Sequence, residues 1–365
     1  MTTVKDVTDY LESIAPLELQ ESYDNSGLIV GDEYMEVKSI LICLDCTEDI
    51  IDEAIKQNCN VVVAHHPIVF SGLKKLNGKN YVERTVIKAI KNNIAIYAVH
   101  TNLDNIQQGV NAKICERLGI KKFNILSPKN NLLKKLVTFC PVDHSEQVRT
   151  ALFSAGSGNI GRYDECSFNI EGTGTFRAGE GTDPFVGEKG KQHREKEVRI
   201  ETIFESHRES KIIHALLTSH PYEEVAYDIY PLNNLHRETG SGMIGELESS
   251  MEEQDFLAYL KSTMQTGCVR HTKLFGRKIS RVAVCGGSGS FLLNDAIRQG
   301  AQVFVTSDFK YHQFFDADGK ILIADIGHFE SEQFTKDLLH DLLVKKFSTF
   351  AVRLSGVGTN PVYYF

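Results

Sequence analysis

Part of this chain occurs twice, and that constrains its fold more than any other feature. Residues 54–66, AIKQNCNVVVAHH, align without a gap on residues 296–308, AIRQGAQVFVTSD. Ala, Ile, Gln and two Val are identical, Lys faces Arg, and the same alignment carries Cys43 onto Cys285. A repeated helix-then-strand block is the mark of an internal duplication in which each half supplies strands to a similar layer.

The grammar around each copy is that of a parallel sheet. Residues 38–44 (KSILICL) form an apolar, β-branched run. Residues 48–58 have helical spacing, with Ile51, Ala54 and Ile55 on one face, and 60–64 (NVVVA) read as a second strand. A helix over 81–92, a strand over 94–99 and a helix over 109–118 continue the alternation. In the other copy, strands are predicted at 281–287, 302–307 and 321–326, with helices around 291–300 and over 330–345. The reading is α/β, with duplicated layers.

A chain of 365 residues exceeds one ordinary domain of roughly 100–200 residues, and the pattern changes between the copies. Residues 134–232 run strand, helix, strand, strand, helix, strand, the β-α-β-β-α-β order of a ferredoxin-like α+β module. The polar, turn-rich flanks 127–131 and 233–242 read as linkers. The chain therefore divides into a discontinuous core, 1–130 and 236–365, and an inserted domain, 134–232. Within the insert, 171–197 carries several Gly and the run GEKGKQHREKE, which reads as a long hairpin tip with solvated charges.

Hydrophobic residues at 42% and charged residues at 24% suit a folded chain in water. Forty Lys and Arg against 48 Asp and Glu leave a net charge of −8, which argues against nucleic acid or an anionic membrane as partner. No basic start with an apolar stretch opens the chain and no apolar run approaches the ~20 residues of a membrane span, so a cytoplasmic location is expected. The eight Cys are scattered, with one close pair at 43 and 46, and read as reduced core thiols.

The chemistry gathers at strand ends. His65 and His66 close one apolar strand, where successive side chains diverge and can grasp two neighbouring metals. Strand 94–99 leads into HTNLD, bringing His100 and Asp104, and strand 321–326 leads into GHFESE. There His328 and Glu332 stand four apart on one helical face. His65, His66, Asp104, His328 and Glu332 are too many for one closed tetrahedral site and too few to saturate two ions. That is the pattern of a dinuclear centre with a bridging carboxylate and water completing the shells. The mixed N/O donors suit Zn, Fe, Mn, Co or Ni; two divalent ions per chain are expected, with zinc as the working assignment. His100, Asp45 and Asp308 are candidates for supporting or proton-shuttling roles. GSGNIG at 156–161 follows a helix and precedes a strand, the reverse of a dinucleotide site, and GGSGS at 286–290 reads as a tight turn. His220 and His312 read as structural or surface residues.

The elements AHHP, VHTNLD, GHFESE and the early DNSGL (24–28) resemble the motifs of the NGG-one-interacting-factor-three-like family, also known as GTP cyclohydrolase I type 2 homologues. The resemblance covers 1–130 and 236–365. It implies metal ligation by the same five residues, a toroidal homohexamer and an internal cavity onto which the metal sites face. AGSGNIGRYDECSF and HPYEEVAYDIYPL resemble the PII/CutA-like inserted domain of longer members. The family name further implies ring opening of GTP by metal-activated water.

Two functional readings follow. One is a metal-dependent hydrolase acting on a nucleotide or other small polar substrate, GTP cyclohydrolase-like in the family's terms. The other is a non-enzymatic regulatory or scaffold metalloprotein whose inserted domain senses a small ligand.

Overall fold

The computed structural model describes residues 1–365. They form two compact units, Met1–Pro128 with Arg237–Phe365, and Lys129–His236. The strands in chain order are β1 (Gly27–Val30), β2 (Ser39–Asp45), β3 (Val61–His66), β4 (Ala95–Ala98) and β5 (Ile120–Lys129). They continue with β6 (Leu133–Pro141), β7 (Ser167–Arg177), β8 (Gln192–Glu205), β9 (Tyr227–Leu232) and β10 (His236–Glu252). The last are β11 (Arg270–His271), β12 (Lys278–Ser288), β13 (Val303–Ser307), β14 (Leu322–Asp325) and β15 (Ala351–Leu354).

The first unit holds two sheets, ordered β1-β4-β3-β2-β15 and β11-β14-β13-β12-β10-β5. Each has a parallel centre: β2, β3 and β4 in one, β12, β13 and β14 in the other. The duplication is visible in the register. Ile40 pairs with Val61 and Val282 with Val303, positions that correspond in the sequence alignment. The residue ending each repeated helix, Asn58 or Gly300, is left-handed at φ 56° or 74°. β13 is buried along its whole length: Val303–Val305 are apolar, as a strand covered on both faces requires, and the hydroxyls of Thr306 and Ser307 at its end donate to Gly287 O.

Helices cover these sheets by amphipathic stripes. Helix Glu48–Lys56 buries Ile50, Ile51 and Ala54, whereas Ile55, predicted on the buried face, is exposed. At about 100° per residue, Ile55 lies about 90° from the centre of that stripe, on its flank. The helix predicted over 330–345 is two helices, His328–Glu332 and Thr335–Lys346. The break at Gln333 coincides with its side-chain amide donating to Met264 O at 2.8 Å. The flanks read as linkers are partly strand, since β5 runs through Lys129 and β10 begins at His236, and the two are neighbours in one sheet.

In the unit Lys129–His236 the elements follow the β-α-β-β-α-β order, with strands arranged β7-β8-β6-β9, all antiparallel. Helices Ser145–Ala155 and Glu209–Ser219 pack on one face around Leu136, Cys140, Val198, Ile200 and Phe204. β7 and β8 form the hairpin read from the sequence. Its charges are not all solvated, because Glu197 is buried. All eight Cys are free; six are buried, Cys166 is half-buried and Cys268 is exposed, so the core reading fails for Cys268. No helix is long and apolar enough to cross a membrane.

Candidate metal centre

Parallel strands deliver their carboxyl ends to one edge, and the chemistry collects there. His65 and His66 end β3; β4 leads through His100 into the short helix Thr101–Asp104; β14 leads into the helix His328–Glu332. All five sequence-predicted residues lie in one cluster. Three triads, His65/Asp104/Glu332, His66/His328/Glu332 and His65/His66/His100, each bring their ligand atoms within 4.8 Å of one another and could hold a metal ion. Glu332 belongs to two of them, with Oε1 3.9 Å from His65 Nε2 and Oε2 3.0 Å from His66 Nε2 and 3.1 Å from His328 Nε2.

Every imidazole is held by Nδ1, which leaves Nε2 turned towards the cluster. His65 Nδ1 donates to Val99 O at 2.8 Å, and His66 Nδ1 to Asp45 Oδ1 at 2.7 Å. His328 Nδ1 donates to Asp308 Oδ2 at 2.6 Å and His100 Nδ1 to Asp24 Oδ1 at 2.7 Å. A carboxylate or carbonyl behind the imidazole fixes its tautomer and raises its basicity, as at metal-ligating histidines.

Two buried atoms of the cluster have no hydrogen-bond partner, His65 Nε2 and Asp104 Oδ1. An orphaned polar atom costs about 1–3 kcal/mol, so two facing each other call for an explanation. They stand 3.7 Å apart, too far for a hydrogen bond and close to the roughly 3.4 Å expected of two donors sharing one tetrahedral ion. The donor set therefore fits a metal.

The protonation pattern is that of a site built for positive charge. Burial pushes the Asp104 carboxyl well above its usual range, with Glu332 adding to it. Burial would do the same to Glu332, but His328, His65 and His66 hold it well below. Burial lowers His65. Burial also opposes the charge of His66 and His328, yet Asp45 and Glu332 push His66 up to about 10, and Glu332 and Asp308 push His328 up to about 11.

The GGSGS segment serves this cluster through its shape. The amides of Gly286, Gly287 and Gly289 are engaged by Asn111, Ser331 and Thr306, and Gly286–Ser288 form the irregular end of β12, where the register with β13 shifts, rather than the tight turn read from the sequence. Gly287 has φ 62°, and a Cβ there would lie 2.5 Å from Glu332 Oε1. Only glycine lets the carboxylate sit where it does.

Asp24 was legible as part of DNSGL but not in its role: it takes His100 Nδ1, the Thr101 amide at 3.0 Å and the Thr101 hydroxyl at 2.5 Å. His100 itself lies in the third triad, beside His65 and His66. His220 is buried and His312 exposed, both outside the cluster. The cluster opens into a cavity of about 680 Å³ whose lining includes Tyr23, Phe70, Arg270, Phe291, Asn360 and Tyr364.

Residues 2–361 match the family model described as Duf34/NIF3 (NGG1p interacting factor 3). A protein of Halalkalibacterium halodurans named GTP cyclohydrolase 1 type 2 homolog is 40% identical over 361 residues, covering 97% of each chain. One of the same name from Bacillus subtilis is 37% identical, covering 97% of this chain and 96% of that one. A crystal structure of a Bacillus cereus protein related to NIF3 superposes with TM-score 0.86 at 38% identity, covering 100% of this chain and 99% of that one.

Proposed function

The chain belongs to the Duf34/NIF3 family, and from that premise and the geometry of the cluster we propose that it is a dinuclear, metal-dependent hydrolase-like protein. The observation that carries the reading is that Glu332 is shared by two triads while His65 Nε2 and Asp104 Oδ1 lack partners. His65, Asp104 and Glu332 would hold one divalent ion and His66, His328 and Glu332 a second, with zinc as the working assignment and Fe, Mn, Co or Ni as alternatives. When bound, such ions lower the pKa of a coordinated water and stabilise negative charge developing on a substrate.

The chain's own residues do the rest. Asp45, Asp308 and Val99 O orient three imidazoles by their Nδ1 atoms. His100, held by Asp24, presents Nε2 beside His65 and His66, ring centroids 5.3 Å away, and can accept or return a proton there. The cavity admits a small polar substrate such as a nucleotide, and its aromatic lining offers faces on which a base can stack.

The same reading includes a toroidal homohexamer, a cytoplasmic location and a PII/CutA-like identity for the inserted domain. The hexamer rests on the family resemblance and is checked by light scattering; the β-α-β-β-α-β order supports the domain identity. The regulatory alternative is favoured by one observation, a second cavity within the unit Lys129–His236.

The deciding experiment offers metal-replete protein a panel of nucleotides, including GTP, phosphoesters and amides. Turnover of one class that tracks metal occupancy and falls in Glu332→Gln supports the hydrolase. Turnover unchanged in that variant, or none across the panel, contradicts it.

A further inference from the structure

The two faces of the sheet β7-β8-β6-β9 differ. Leu136, Cys140, Val198 and Ile200 pack under the helices, so by strand alternation Phe139, Glu197 and Arg199 lie on the other face, with Ile170 paired to Arg199. On that face lies a cavity of about 640 Å³ with Phe139, Phe176, Phe185 and Tyr222 among its lining residues. The Tyr222 ring stands 6.0 Å from Phe176 and 6.2 Å from Phe185, centroid to centroid.

Among these rings sits a carboxylate. Glu197 is 9% exposed, and one of its oxygens accepts a 2.9 Å hydrogen bond from the Tyr222 hydroxyl. The other lies over Gly174, where a Cβ would come within 2.0 Å of it. Gly172 and Gly174 thus leave the floor of the cavity bare of side chains beside the charge. No Lys or Arg pairs with Glu197. The one guanidinium in the lining, that of Arg199, is bound to Glu201 at 2.9 Å. Glu223 and Glu224 add negative charge to the lining.

The arrangement is braced. Buried His220 donates from Nε2 to Phe139 O at 2.9 Å and accepts the Tyr222 amide on Nδ1 at 3.1 Å. The Glu223 carboxylate accepts the Asp183 amide, which ties the loop after β7 to the loop carrying Tyr222.

A desolvated carboxylate without a cationic partner is costly, and aromatic faces attract cations through their quadrupoles. We propose that this cavity binds a small organic cation, with its ammonium group seated between the rings of Tyr222 and Phe176 and the Glu197 carboxylate. The charge complements Glu197, and the alkyl body of such a ligand covers the apolar walls. The site lies wholly within the unit Lys129–His236 and stands independently of the metal centre.

The test uses the full-length protein in calorimetric titrations with choline, n-butylammonium and 3,3-dimethylbutan-1-ol, the neutral isostere of choline. Saturable binding of either cation is expected, with the neutral alcohol weaker than choline by at least about tenfold. Glu197→Gln and Phe176→Leu should each weaken cation binding by at least about tenfold, while thermal melting confirms that each variant is folded. Equal binding of choline and its isostere would overturn the proposal. So would full retention in both variants, or no saturation by either cation up to about 50 mM.

Discussion

Asp45 Oδ1 accepts a 2.7 Å hydrogen bond from His66 Nδ1, and Thr359 Oγ1 donates to the other oxygen of the same carboxylate at 2.8 Å. The pair joins a residue at the end of β2 to one at the end of β3, and it decides which nitrogen of His66 faces Glu332. Asp45→Ala should therefore leave the fold intact and weaken metal binding by roughly 10–100-fold. Competition with a chelator of known affinity measures this; unchanged affinity would mean that the tautomer is set elsewhere.

Metal uptake should release protons. His66 and His328, raised to about 10 and about 11, are protonated near neutral pH in the metal-free chain, and ligation through Nε2 needs both lone pairs free. Loading at about pH 7.5 should expel at least about two protons per chain, with the raised Asp104 carboxyl adding to the count, and affinity should rise with pH. Calorimetry in buffers of different ionisation enthalpy counts them. For the metal-free fold the sign is opposite: these two groups stabilise it fully below their ordinary pKa of 6.5, and that contribution is lost as pH rises through 10 to 11.

Gly287→Ala tests the left-handed strand end beneath Glu332. A left-handed alanine costs about 1–3 kcal/mol, and its Cβ would displace the carboxylate it meets at 2.5 Å. Lower stability together with reduced metal content is the expected outcome, read by thermal melting and elemental analysis of the same sample. Full metal content would show that Glu332 can move aside without cost to the site.

Much of this was legible because the signals were local. His65 and His66 end an apolar strand, and His328 and Glu332 share one helical turn, so pattern alone put them at strand ends. What escaped was long-range or fine-grained. Asp24 meets His100 across 76 positions, and nothing in DNSGL announces that contact. The break between the helices ending at Glu332 and beginning at Thr335 has no Pro or Gly to mark it. Glu197 sits in a run of charges that reads as solvated, and the Tyr222 hydroxyl that bonds it comes from a different loop.

Acid stability reports on the unit Lys129–His236. Glu205 is bonded by His236 at 3.0 Å and by Arg208 at 3.0 Å, and these contacts hold its carboxyl at about 2 against an ordinary 4.5. A depressed acid stabilises the fold above pH 4.5 and loses that contribution as pH falls from 4.5 through 2. With solvent screening of a partly exposed group taken into account, Glu205→Gln should cost about 1–2 kcal/mol at neutral pH. Hydrogen exchange of peptides from 129–236 should show faster opening in the variant at pH 7 and a smaller difference from the parent near pH 3. A difference that did not shrink on acidification would contradict the linkage.

Whether five side chains hold two ions about one shared carboxylate is measured by anomalous diffraction from metal-loaded crystals. Two peaks per chain are expected, one within reach of His65, Asp104 and Glu332 and one within reach of His66, His328 and Glu332. Both should be lost in the His66→Ala, Glu332→Ala double variant while the sheets remain in place. A single peak, peaks elsewhere, or peaks that survive in the double variant would contradict it.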